Sequence, residues 1–204
     1  MELTSLCLVL TATLSLHPDK TQFFRYEDVS LSCSAPGNSS GWTLRRNGSS
    51  ETKPCGRGCR LEDMYPSDSG VYWCQSDRGG CSNAVSITVT PGEVVLESPA
   101  LPVMEGDRVT LRCSYRKRYN ADPTSNFNAS FFRDGAFIGS GPAGQMVLPA
   151  VSKRDEGSYR CQHHPTKEES PQSWLAVGGE GVFCICSGVC VCVCVCVCVC
   201  VCVC

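Results

Sequence analysis

Histidine is scarce in this 204-residue chain, which holds only His17, His163 and His164. The P-loop pattern Gly-x-x-x-x-Gly-Lys-Ser/Thr and His-Glu-x-x-His are also missing, so P-loop phosphoryl transfer and zinc-assisted hydrolysis have no residue set to work with. No enzyme and no cofactor are expected. The adjacent pair His163-His164 would point to opposite faces of a strand and grip one metal poorly, and on a polar loop it would be solvated. No metal site is expected either. An excess of positive charge is lacking too: 18 Lys and Arg stand against 20 Asp and Glu, a net charge of -2. Nothing in that balance would hold nucleic acid or an anionic membrane surface.

Cysteine, by contrast, is plentiful. Of 18 residues, ten lie at or beyond Cys184, where the chain becomes a Val-Cys repeat to Cys204. Codons account for that tail better than folding does, since a (GT) dinucleotide repeat reads Val-Cys without a stop. Residues 178–204 are therefore read as a low-complexity, translated repeat. A membrane span and a thiolate metal site are the competing readings. At the other end residues 1–16, with the apolar run 6–10, are read as a signal peptide of uncertain cleavage site that would carry Cys7 away. Glu2 stands where a basic residue is usual, which leaves a misassigned first exon as the alternative.

Between these ends one pattern occurs twice, Asp-x-Gly-x-Tyr-x-Cys, at Asp68 to Cys74 and at Asp155 to Cys161. A Tyr two residues before a Cys fits the tyrosine corner of an immunoglobulin sandwich. The fold expected is all-β, two tandem immunoglobulin-like sandwiches over 17–91 and 92–177. In the first, the alternating run 29–33 places Cys33 inward on strand B, Trp42 is the core residue of strand C, and Cys74 closes the bridge, with Tyr72 at the corner. In the second, Cys113 pairs with Cys161, Tyr159 marks the corner, and Phe131 or Phe132 fills the place of the Trp. Cys55, Cys59 and Cys81 form an odd set. Cys55 and Cys59 flank a flexible segment and are favoured as a pair, leaving Cys81 over. Three sequons, at Asn38, Asn47 and Asn128, lie in or near expected loops and, with the paired cysteines, favour export to the cell surface or secretion.

The blocks Gln22 to Cys33, Tyr65 to Cys74, Leu96 to Val103, Phe132 to Gly139 and Leu148 to Cys161 resemble the Fc receptor and Fc receptor-like family, in the form seen in bony fish. The resemblance covers about residues 18 to 177. It implies a non-enzymatic immune-receptor ectodomain whose second domain grips a protein ligand, immunoglobulin Fc, and which works with a signalling adaptor chain. Carried onto this sequence, the contact regions are the BC loop over 114–130, the C' strand near 136–141, the FG loop over 162–170 and the linker near 90–93. Candidate contacts are Tyr115, Arg116, Lys117, Arg118, Tyr119, His163, His164 and Lys167. The family's pair of Trp residues that clasp an Fc proline is absent, since the stretches 92–95 and 113–116 contain none; Tyr115 and Tyr119 are the substitutes available. An adhesion or spacer module without Fc binding, or a soluble decoy, is the alternative.

Overall fold

Alternating burial builds the B and F strands of both of this molecule's cores, Val29–Ser34, Gly70–Ser76, Val109–Tyr115 and Gly157–His163. In the computed structural model, residues 10–35, 41–56, 58–117, 122–178, 191–195 and 199–203 are described. The first sandwich comprises β1 (Leu10–His17), β2 (Gln22–Phe24), β3 (Val29–Ser34), β4 (Trp42–Arg46), β5 (Lys53–Pro54), β6 (Cys59–Leu61), β7 (Gly70–Ser76), β8 (Cys81–Ser82) and β9 (Val85–Thr90). Val29, Leu31 and Cys33 of β3 turn inward while Ser30 and Ser34 face out, the period of two that a half-buried strand requires. β1 and β6 flank β3, and β4, β7 and β9 form the opposite sheet, with β8 joining β7 to β1.

The second sandwich comprises β10 (Val94–Glu97), β11 (Val103–Met104), β12 (Val109–Tyr115), β13 (Ala129–Arg133), β14 (Ala136–Gly141), β15 (Gln145–Leu148), β16 (Gly157–His163), β17 (Ser173–Leu175) and β18 (Val177–Gly178). One sheet runs β10-β12-β15 and the other β14-β13-β16-β17, while β11 pairs with β18 in parallel. Among the described residues no α-helix occurs. In the tail, β19 (Val191–Val195) pairs with β20 (Val199–Val203) as a separate two-stranded sheet joined to neither sandwich.

Two expectations need correction. The first sandwich begins at Leu10 and not at residue 17: β1 pairs with β3 from Thr13↔Ser34 to His17↔Ser30, and Leu14 is fully buried in the core. Removal of residues 1–16 would strip that strand from the sheet and the Leu14 and Leu16 side chains from the core. Cys81 is not left over, because it too is disulfide-bonded. Cys33–Cys74, Cys113–Cys161 and Cys55–Cys59 are joined as well. On loop-closure entropy, the Cys33–Cys74 bridge, with a separation of 41, constrains the unfolded chain by roughly 4 kcal/mol, against about 2 for the separation of 4 at Cys55–Cys59.

The repeated motif makes the same corner twice. Tyr72 Oη donates to Asp68 O at 2.5 Å, and Tyr159 Oη donates to Asp155 O at 2.6 Å. Arg46 pairs with Asp68 and Arg133 with Asp155. The residue after each Arg turns back over the motif's glycine: Asn47 Oδ1 accepts from Val71 N at 2.8 Å and Asp134 Oδ1 from Ser158 N at 2.9 Å. A Cβ at Gly70 would lie 2.8 Å from Asn47 Oδ1, and one at Gly157 2.7 Å from Asp134 Oδ2. A side chain at either glycine would therefore push the Asn47 or Asp134 side chain out of this turn.

The sandwiches meet through a buried polar joint. Gln22, 1% exposed, accepts from Leu96 N with Oε1 and donates to Pro171 O with Nε2. Thr21, Ser98 and Ser173 share hydroxyl hydrogen bonds beside it. Ala100 and Leu101 of the second domain pack against the core of the first. Each buried polar atom here has a partner, so the joint escapes the penalty of unsatisfied burial.

Candidate protein-binding face

Of the candidate contacts of the second domain, Tyr115, Arg116 and His163 gather where β12, β16 and the interdomain linker converge. Tyr115 ends β12, and its ring stacks on that of His163, the last residue of β16, with centroids 4.1 Å apart and planes 7° apart. Phe127 meets the same imidazole edge-on at 4.3 Å and 89°. On its polar side His163 Nδ1 shares a hydrogen bond with Thr166 Oγ1 at 2.8 Å. The linker is tied in by Glu93, whose carboxylate accepts from Tyr115 Oη at 3.0 Å and whose carbonyl accepts from Arg116 N. Linker, BC segment and FG loop thus close on one imidazole.

His163 is only 5% exposed, which overturns its placement on a solvated polar loop. Burial holds its pKa below the ordinary value, and the neighbouring His164 lowers it further, with Glu93 opposing. Burial also raises the Tyr115 phenol, helped by Glu93. His164 points away, as the alternation of a strand demands, and shares a hydrogen bond with Ser130 Oγ at 2.7 Å.

Arg116 is not a free contact. Its guanidinium lies 4.7 Å from the Phe24 ring and donates to Arg25 O, both in the first domain. Lys117 and Lys167 are exposed. Arg118, Tyr119 and the sequon residue Asn38 lie outside the described residues, whereas Asn47 and Asn128 are exposed. Along the C' strand, Phe137 is 61% exposed. It packs on Phe132, over which Arg160 lies at 4.3 Å.

Register also corrects the place given to the missing Trp. Trp42 lies opposite Ser76 and Leu44 opposite Cys74, while Ala129 lies opposite His163 and Phe131 opposite Cys161. Phe131 therefore occupies the position of Leu44, Phe132 that of Arg45, and Ala129 that of Trp42. Phe127 and Glu93 fall within the BC and linker regions expected from the sequence, but no local pattern singled them out there.

Residues 93–174 match the immunoglobulin domain family. The chain is 30% identical to Fc receptor-like protein 5 of Mus musculus over 155 residues, 74% of this chain and 25% of that protein. It is 28% identical to Fc receptor-like protein 4 of Homo sapiens, covering 72% of this chain and 28% of the relative. It is 32% identical to low affinity immunoglobulin gamma Fc region receptor II of Mus musculus, covering 74% and 45%. The chain thus spans between a quarter and under half the length of these relatives.

Proposed function

The chain is a relative of the Fc receptors and Fc receptor-like proteins, and from that kinship we propose that it is the ectodomain of a cell-surface immune receptor whose second domain binds immunoglobulin Fc. The observation that carries the reading is the Tyr115–His163–Phe127 stack. It fastens the linker, the BC segment and the FG loop into one preorganised face, which lowers the ordering cost of binding. Exposed Lys117, Lys167 and Phe137 border that face or its neighbouring strand and supply charge and apolar area. Recognition is by contact, without covalent chemistry, and an adaptor chain would carry the signal.

Surface plasmon resonance of the purified chain against whole immunoglobulin and its Fc and Fab fragments tests the proposal. Binding to whole immunoglobulin and Fc but not Fab is the expected outcome. No Fc response, with concentration-dependent self-association instead, would replace this reading with an adhesion module.

A further inference from the structure

We propose that the first domain carries its own contact point for a protein partner, a ledge of Arg25, Tyr26 and Tyr65 that takes a carboxylate-bearing loop. The inference rests on the reading above for the partner being a protein, and it extends the footprint across the domain junction.

Three observations carry it. The first is exposure without disorder of the backbone that presents it. Tyr26 is 54% and Tyr65 42% exposed, yet their rings meet edge-on at 5.2 Å and 85°. Tyr26 N donates to Met64 O at 2.7 Å and Met64 N to Glu27 O at 3.1 Å, which stitches the turn after β2 to the segment before the tyrosine corner. Tyr65 is fixed in turn by Asp68, whose carboxylate accepts from its backbone N at 2.8 Å. The second is that Tyr26 has φ 66, a left-handed conformation in which a bulky residue is an outlier. An exposed tyrosine is thus held in a conformation that asparagine or glycine would adopt more readily.

The third observation is electrostatic. The Arg25 guanidinium lies 5.3 Å from the Tyr26 ring and 5.1 Å from the Tyr65 ring. The acids next to Arg25 along the chain are already engaged, Glu27 by Lys20 at 3.0 Å and Asp28 by Arg60 at 2.6 Å, while exposed Asp63 acts on the Tyr65 phenol from the segment before it. Arg116, beside it, is held by the Phe24 ring and the Arg25 carbonyl. Two guanidiniums at the junction are therefore seated on rings and a carbonyl oxygen, their charge complementary to a carboxylate brought by a partner. Tyr and Arg on a rigid surface are the residue types that dominate protein contacts.

Two probes separate this ledge from the Fc reading. In the first, the whole chain is titrated with the capped peptide Gly-Glu-Leu-Glu-Gly and with its Gln counterpart while the Tyr26 and Tyr65 ring resonances are followed by NMR. The Glu peptide should move them about five-fold further at equal concentration, and Arg25→Ala should abolish the difference. Equal responses, or a preference that survives Arg25→Ala, would overturn the ledge whether or not immunoglobulin binds. In the second, Tyr26→Asn, chosen because asparagine tolerates the left-handed turn, is combined with Tyr65→Ala and tested on Fc. Affinity should fall about ten-fold, and an unchanged affinity would overturn the extended footprint. A wild-type chain that ignores immunoglobulin but keeps the Glu-peptide preference would sink the Fc reading and leave the ledge standing.

Discussion

At one register position the two sandwiches solve the same packing problem differently. In the first domain Trp42 faces Ser76 across β4 and β7, and one indole, 6% exposed, fills that end of the core. In the second the pair is Ala129 and His163, a methyl group and an imidazole. The volume given up by the indole is met by three rings, Tyr115, His163 and Phe127, of which two come from the BC side. A single large side chain on a strand makes a core that stands apart from its loops. Three rings drawn partly from loops make a core that the loops help to build, and that carries a titratable group. The second arrangement ties the geometry of its loops to the packing of its core.

Truncating each solution would break or sharpen that contrast. Trp42→Ala should cost the first domain about 3 to 5 kcal/mol, a large share of the 5 to 15 typical of a whole domain. His163→Ser, which copies the first domain's Ser76, should cost the second about 1 to 2, because Tyr115 and Phe127 remain to close over the gap. Hydrogen exchange read by mass spectrometry resolves the two domains within one chain. Equal losses would show that His163 bears its end of the core alone and that the three rings do not share the slot.

Acid should separate the domains next. His163 has its pKa lowered in the folded state, so the unfolded chain binds the extra proton more readily. Its contribution to stability is complete above the ordinary histidine pKa of about 6.5, falls as pH drops below that value, and levels off beneath the folded-state pKa. The groups facing the ring are Tyr115 and Phe127 from the BC side and Thr166 from the FG loop; the adjacent His164 adds its charge to the lowering, and Glu93 is the acid that opposes the shift. Between pH 7.5 and 5.5 the second domain should lose stability and the first, with Ser76 in that place, should not. Unfolding midpoints for the wild type and His163→Phe measure it; an unchanged slope in the variant would assign the effect elsewhere.

Much of this was legible in the chain because it is local. The corner motif, the Cys pairs it brackets and the period-two runs lie within a few residues of one another, and the two cores follow from them. The start of β1 was not legible. The apolar and small residues that make a strand from Leu10 also suit the end of a leader, and only the partner strand, Val29–Ser34, tells them apart. The place of the Trp was misjudged for a related reason. Aromatic character favoured Phe131 or Phe132, whereas the pairing of Ala129 with His163 decides the slot. Burial of His163 depends on Tyr115 and Phe127, distant in sequence, so no local pattern announces it. Arg-Asx-Gly at Arg46 and at Arg133 was within reach, since it repeats at the same spacing before each corner motif.

That shared corner supplies the smallest test, and one where the domains should agree. The Arg46–Asp68 pair spans 3.4 Å and the Arg133–Asp155 pair 3.3 Å, each between side chains about a quarter to two-fifths exposed. Solvent screens such pairs, so Arg46→Ala and Arg133→Ala should each cost about 0.5 kcal/mol, rising little even though each Arg also donates to a backbone carbonyl. The corner persists without them because Tyr72 and Tyr159 keep their hydrogen bonds to Asp68 O and Asp155 O. Denaturant midpoints for the two variants should shift by matching small amounts. A loss above about 2 kcal/mol in one domain alone would mean that the corners, alike in geometry, differ in what they support. The contrast between the sandwiches would then reach beyond the Trp42 and His163 end to the opposite end of the same strands.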